Sequence, residues 1–242
     1  MLTDTLTVFS RELRPTLRNP FTIIISMVQP LVFLALFAPL LPQNEALQWF
    51  VPGIVVMSCL FGASMTGSNL LFEIQTGSHE RMLVTPLRRP ALLVGRALKE
   101  IVPMVAQAAL IVLVCVPFGF RLHLGGALIG MVILAAFCIG LGALSYTLAL
   151  ASKHQEWLFW TVQQTVLFPL LLLAGVLLPL DGGPGWLRAL AAGNPLRYVV
   201  DAERALFAGD VWAPTTVRGL VAAIAVSALG LWVGVRAMRR SD

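Results

Sequence analysis

Six runs of about twenty apolar residues divide this chain, and each is long enough to cross a bilayer as one helix. They fall at approximately Phe21–Leu41, Trp49–Phe72, Ile101–Phe120, Gly126–Ala151, Trp157–Leu180 and Val217–Met238. About twenty residues at a rise of roughly 1.5 Å span the roughly 30 Å of hydrocarbon. Apolar residues make up 58% of the 242 and charged residues 12%, against about 45–50% and about 25% in soluble domains. A water-soluble fold of this length has nowhere to hide so much apolar surface, so lipid is the solvent for much of the chain. The expectation is an all-α integral membrane protein with six transmembrane helices in a single domain, residues 1–242.

Charge placement gives the orientation. Arg11, Arg14 and Arg18 precede the first run; Arg81, Arg88, Arg89, Arg96 and Lys99 lie between the second and third; Arg236, Arg239 and Arg240 close the chain. Alternate sides of the membrane then hold twelve and five of the seventeen Lys and Arg, which places both termini and the 73–100 loop in the cytoplasm. The net charge of +5 sits at the ends of apolar runs and not on one stripe, which argues against nucleic acid as a partner. Cys59, Cys115 and Cys138 lie inside apolar runs without CxxC spacing and read as small buried hydrophobes. The first apolar run is too long for the h-region of a cleavable signal and reads as a span.

Two further segments have their own pattern. In residues 1–18, Leu2, Leu6, Phe9, Leu13 and Leu17 recur at steps of three or four, with the arginines mostly opposite. This predicts an amphipathic interfacial helix that Pro15 breaks or bends near its end. In the outer segment 181–216, a Gly- and Pro-rich turn precedes a short amphipathic stretch, Trp186–Ala192. Gly193-Asn194-Pro195 then separates it from a second mixed stretch. The expectation is a re-entrant helical hairpin before the last span. Small residues, among them Gly62, Ala63 and Gly67 in the second run and Gly126, Gly130, Gly140 and Gly142 in the fourth, predict closely packed helices.

The absences are informative. The sequence contains no GxxxxGK(S/T) phosphate loop and no HExxH, so ATP hydrolysis and zinc proteolysis are not expected of this chain. Gly62-Ala63-Ser64-Met65-Thr66 approaches GxSxG but ends in Thr and sits within a helix. His79, His123 and His154 are far apart, near helix ends, and read as interface histidines. The span interiors carry essentially no ionisable residue, only neutral polar ones: Gln29, Asn69, Gln107, Ser145, Tyr146, Thr147, Gln163 and Gln164. An ion-coupled carrier or channel needs charged or aligned polar groups at depth, and a lipid-modifying membrane enzyme needs converging carboxylates or histidines. Energy for transport would have to come from a separate soluble motor.

The 73–100 loop combines charge with apolar anchors. Its sequence predicts a helix from about Gly77 to Val84, stopped at Thr85-Pro86. Two readings stand here. Met82 and Leu83 fill a groove on a partner while Glu80 and Arg81 fix the register, or the loop is basic only to set topology.

Glu80-Arg81-Met82-Leu83-Val84-Thr85-Pro86-Leu87, followed by Pro90-Ala91-Leu92-Leu93-Val94-Gly95-Arg96, resembles the loop after the second span of the type-2 ABC exporter permeases, in particular their daunorubicin-resistance branch. Val51-Pro52-Gly53-Ile54 is similar to that family's approach to the second span. Asn194-Pro195-Leu196 and Val200-Asp201-Ala202-Glu203-Arg204 resemble its outer region before the last span. The likeness runs in order over nearly the whole chain; Val84 departs from a position where a polar or small residue is also common.

The resemblance implies a bacterial inner-membrane, multi-pass permease that pairs with a second permease subunit, identical or related. Two cytoplasmic ABC ATP-binding subunits would dock below and carry ATP and Mg, with no cofactor on this chain. It implies coupling to those subunits through the first helix and the loop residues Glu73, Gly77, Glu80, Arg81, Met82, Leu83 and Pro86. It also implies a substrate path between subunits lined by the second and fifth spans, for which this chain offers Met57, Phe61, Met65 and Asn69, then Gln163, Gln164 and Phe168. Asn194, Pro195, Asp201 and Arg204 would form an outer re-entrant gate. Flexible Met and aromatic faces with a few amides suit amphiphiles of varied shape, such as drugs, antibiotics or secondary metabolites. Lipid-linked glycan or lipid export by the same family is the alternative, and membrane lipids are partners in either case.

Overall fold

The computed structural model describes residues 2–18, 21, 24–25, 27–40, 46–77, 89–153, 155–180 and 182–240, and among these no strand occurs. Helix α1 is Leu2–Arg18, α2 Val28–Phe37, α3 Ala46–Gln75, α4 Arg89–Lys99 and α5 Ile101–Cys115. Helix α6 is Leu124–Ala151, α7 Glu156–Leu173, α8 Gly185–Ala192, α9 Pro195–Phe207 and α10 Pro214–Arg240. Four stretches are long and apolar enough to cross a membrane: Leu47–Gln75, Leu92–Phe118, Leu124–Ala151 and Pro214–Met238.

Of the six expected runs, the second, fourth and sixth appear as α3, α6 and α10. Within the first run the described helix is the ten-residue α2, with a 3-10 turn at Ala38–Leu40 after it; residues 41–45 lie outside the described part. The third span begins earlier than the hydropathy indicates, at Leu92. Its extra turns carry Arg96, Lys99 and Glu100, all buried against neighbouring charges and so hidden from lipid. The fifth helix ends at Leu173 and not near Leu180. Pro169 lies in its last turns, and Gly175, at φ +69°, turns the chain aside.

Helix α3 is the centre of the bundle, and most of its apolar stretch is buried. Its hydroxyls are satisfied along its own backbone: Ser58 Oγ donates to Ile54 O at 2.9 Å and Ser64 Oγ to Leu60 O at 2.7 Å. Against it lies α6, where Ser145 Oγ donates to Ser64 O at 2.7 Å and accepts from Gly67 N–H at 3.1 Å. Interhelical bonds of this kind contribute about 0.6–2 kcal/mol in membranes. On its other side α6 meets α10 along most of its length. The backbones cross at Gly140 and Gly230: a Cβ on Gly140 would stand 2.6 Å from Ser227 N, and one on Gly230 would strike Gly140 O. Only glycine permits that approach, and van der Waals contact replaces the hydrophobic force that lipid cannot supply.

The GxxxG pair at Gly126 and Gly130 does a different job. It seats α9, with the Leu206 carbonyl against Gly126 and the Glu203 carboxyl against Gly130. Glu203 is fully buried, and neither of its carboxyl oxygens has a hydrogen-bond partner among the described residues. Helices α8 and α9 are the two short helices expected in 181–216; Asp181 lies outside the described residues. The three cysteines are buried and unpaired.

Helix α1 lies on α4, with Val8 buried in a lower cluster beside Leu92, Leu93 and Met238. Helix α1 runs through Pro15 and ends three residues later, at Arg18.

Two substitutions test this packing. Gly140→Leu should destabilise the detergent-purified protein by about 2–3 kcal/mol or prevent its folding, read by thermal unfolding. Glu203→Leu should raise the melting temperature, because it removes a buried unpaired carboxyl whose desolvation costs about 1–3 kcal/mol. A fall in melting temperature would show that the carboxyl contributes stability where it stands.

Candidate functional site

Helices α2, α3, α5 and α7 enclose a cleft of about 250 Å3. Its walls bring together five of the seven residues expected on a substrate path: Phe61 and Met65 from α3, and Gln163, Gln164 and Phe168 from α7. The other two lie elsewhere. Met57 is fully buried in the core, and Asn69 is exposed outside the cleft. The step of four that links Met57, Phe61, Met65 and Asn69 explains this. Each step turns about 40° around a helix of 3.6 residues per turn, so the ends of the series face about 120° apart.

Four of the seven other lining residues bring polar or aromatic groups that the face pattern of α3 and α7 did not single out: Gln29 on α2, Ser58 on α3, Gln107 on α5 and Trp160 on α7. Two of them, Gln29 and Gln107, were visible as isolated amides within apolar runs. Their convergence was not, because it joins helices far apart in sequence. Gln163 is 6% exposed, and its Oε1 has no hydrogen-bond partner among the described residues. A buried amide oxygen left open in this way is costly unless something polar enters beside it. The cleft therefore offers aromatic and thioether surface with amide donors and acceptors, and no charge.

Beyond one end of the cleft stands a clamp built from the expected outer residues. Asn194 caps α9: its Oδ1 accepts from Leu196 N–H at 3.0 Å, and its Nδ2 donates to Leu170 O in α7 at 2.7 Å. Pro195 occupies the first turn, where a missing N–H costs nothing. Arg204 donates from Nε to Trp49 O at 3.0 Å and from Nη2 to Gly175 O at 2.7 Å. Its guanidinium also lies 3.8 Å from the Trp49 ring centroid. Asp201 stands 3.8 Å from both Arg204 and Arg197. These residues fasten the hairpin to the start of α3 and the end of α7.

A buried charge cluster occupies the other end. Arg96, on α4, bonds Glu73 of α3, lies 3.6 Å from Glu12 of α1 and sits 5.5 Å from the centroid of Tyr146 on α6. Its side chain is 4% exposed, so removing one partner would leave a buried charge uncompensated. Nearby, Gln75 Nε2 donates to Glu156 Oε2 at 2.8 Å, which ties the end of α3 to the start of α7. Gly77, at φ +68°, follows the end of α3 as a left-handed turn residue, and the helix expected from about Gly77 to Val84 lies beyond it, outside the described residues. The remaining expected coupling residues, Glu80, Arg81, Met82, Leu83 and Pro86, lie outside the described residues, as do His79 and His154. His123 precedes α6 and meets Phe207 O at 3.1 Å. Among the described residues no group of three or more His, Cys, Asp or Glu gathers as metal ligands would.

Residues 3–208 match the family model described as ABC-2 type transporter. The daunorubicin resistance ABC transporter permease protein DrrB1 of Streptomyces coeruleorubidus is 28% identical over 213 residues, covering 85% of this chain and 75% of that protein. The putative transport permease ycf38 of Cyanophora paradoxa is 31% identical over 207 residues, covering 81% and 71%. The probable doxorubicin resistance ABC transporter permease protein DrrC of Mycobacterium tuberculosis is 24% identical over 222 residues, covering 85% and 77%. The chain belongs to the ABC-2 type transporter family, as a multi-pass membrane permease related to the daunorubicin and doxorubicin resistance permeases.

Proposed function

We propose that this chain is one permease subunit of an ATP-driven exporter of amphiphilic small molecules in a bacterial inner membrane. In this reading it has six spans, α2 and α7 completing the four long ones, with both termini in the cytoplasm and the α8–α9 hairpin re-entering from the outside. A second permease copy or relative faces it, and two separate ATP-binding subunits dock on the 73–100 loop and α1. The observation that carries the reading is the uncharged cleft of Phe61, Met65, Gln163, Gln164 and Phe168, in a bundle whose family members are transport permeases. Its lack of ionisable groups fits a motor-driven path better than a proton- or ion-coupled one.

The mechanism needs no covalent chemistry in this chain. Closure of the motor on ATP would press on the 73–100 loop, and the Arg96 cluster would carry that movement to α1, α3 and α6 together. The clamp at Arg204 and Asn194 would then release α3 from α7 on the outer side. The permease supplies differential affinity for the cargo between the two states.

The first test is purification of the tagged protein in mild detergent, with mass spectrometry of what accompanies it. A stoichiometric ABC-type ATPase should copurify and be lost on Glu80→Ala or Arg81→Ala; retention in both variants would overturn the coupling role of the loop. A second measurement addresses the cleft. Gln163→Leu should weaken the apparent affinity for a transported amphiphile roughly tenfold, the worth of about one buried hydrogen bond to a polar ligand, with motor binding unchanged. An unaltered concentration dependence would remove Gln163 from the path.

A further inference from the structure

Away from the cleft, two adjoining hollows lie where α9 meets the outer end of α10, and they share Tyr198 and Arg218. The larger, about 520 Å3, is walled by Pro195, Val217, Val221 and Ala222. The smaller, about 200 Å3, is polar, with Arg197, Asp201 and Thr215 around it. Together they make one groove, apolar at one end and cationic at the other. Asp201 divides its charge between Arg197 and the inward-facing Arg204. Arg218 has no acidic partner among the described residues, so the polar end keeps an uncompensated positive charge.

The surroundings say what kind of molecule fits. Arg218 lies one turn inside the start of α10, the depth at which a spanning helix passes from headgroups into hydrocarbon. Val217, Val221 and Ile224 are 62%, 61% and 54% exposed on one side of that helix. Together they make an apolar strip about 10 Å long on the helix, which continues past the groove to Ile224. A free phosphate would use the polar end alone, whereas a chain-bearing phosphate uses both.

We infer that this groove is a binding site for one anionic phospholipid, its phosphodiester held by Arg218 and Arg197 and an acyl chain lying over Val217 and Val221. An anionic headgroup is selected because the net charge of the site is positive and the phosphate would otherwise remain in water. The site goes beyond the transport reading and stands whichever molecule the cleft carries.

Native mass spectrometry of the detergent-purified full chain tests it, by titration with phosphatidylglycerol and with phosphatidylcholine of identical acyl chains. Wild type should retain one phosphatidylglycerol under conditions that strip phosphatidylcholine. Arg218→Ala should weaken that binding roughly tenfold, the loss of one charge-assisted hydrogen-bonded contact. Val221→Trp, which fills the apolar end, should weaken it similarly, Arg218→Lys should keep most of it, and Arg188→Ala should leave it unchanged. Monodisperse elution of each variant checks folding; should Arg218→Ala fail to fold, Arg218→Lys and Val221→Trp decide. Equal retention of both lipids, or binding indifferent to Arg218 and Val221, would reduce the groove to ordinary lipid-facing surface. A change of oligomeric state on Arg218→Ala with lipid binding intact would assign it to a second copy of the chain and overturn the inference.

Discussion

Arg204 sits where three pieces of backbone end, and its guanidinium takes up carbonyls that lipid would leave bare. Trp49 O lies in the first turn of α3, and Gly175 O lies just past the end of α7. With no water in the hydrocarbon, an open carbonyl costs several kcal/mol, so irregular backbone survives at depth only where protein supplies the donors. Asn194 does the same for Leu170. Broken and short helices around the cleft are tolerable because these two side chains close them. A straight six-helix bundle would need neither residue, and would also have no cleft between α3 and α7.

The opposite end is organised by charge. Arg96 is drawn out of water by carboxylates on α1 and α3 and by the face of Tyr146 on α6. Each partner belongs to a different helix, so four helices share one electrostatic knot. Buried knots of this kind add little net stability compared with apolar packing, yet they resist partial disruption strongly. That property favours concerted movement over independent shifts of single helices.

Much of this was legible in the sequence, for identifiable reasons. Long apolar runs announced α3, α6 and α10, because lipid imposes their length. The amphipathic repeat announced α1, and the Gly-Asn-Pro break announced the division between α8 and α9. Asn194 and Pro195 were visible as a break, but the joint role of Asn194 and Arg204 came only through family resemblance, since their partners are backbone carbonyls that no side-chain pattern records. The start of the third span was misplaced because hydropathy treats Arg96, Lys99 and Glu100 as exposed, while the fold pairs them. Gly126 and Gly130 announced close packing but not its object, which is a helix about seventy residues further on. Glu203 stood in the sequence as one charge in a short mixed stretch; nothing local shows that α6 covers it. Met57 and Asn69 were carried along by a periodicity that drifts off one face within three steps.

Helix α7 is fastened differently from its neighbours. Its backbone comes close to α3, α6, α8 and α9 at only a few places each. Its polar ties concentrate at two places, Glu156 with Gln75 at one end and Leu170 with Asn194 near the other. Between these pins Phe159, Gln163 and Leu167 are buried, so the helix can turn about its long axis only as far as those three keep their contacts. Gln163, Gln164 and Phe168 lie between the pins. A modest roll of this one helix would exchange amide for aromatic surface on the cleft wall, altering what the cleft prefers to hold while the glycine-locked pair α6–α10 stays still.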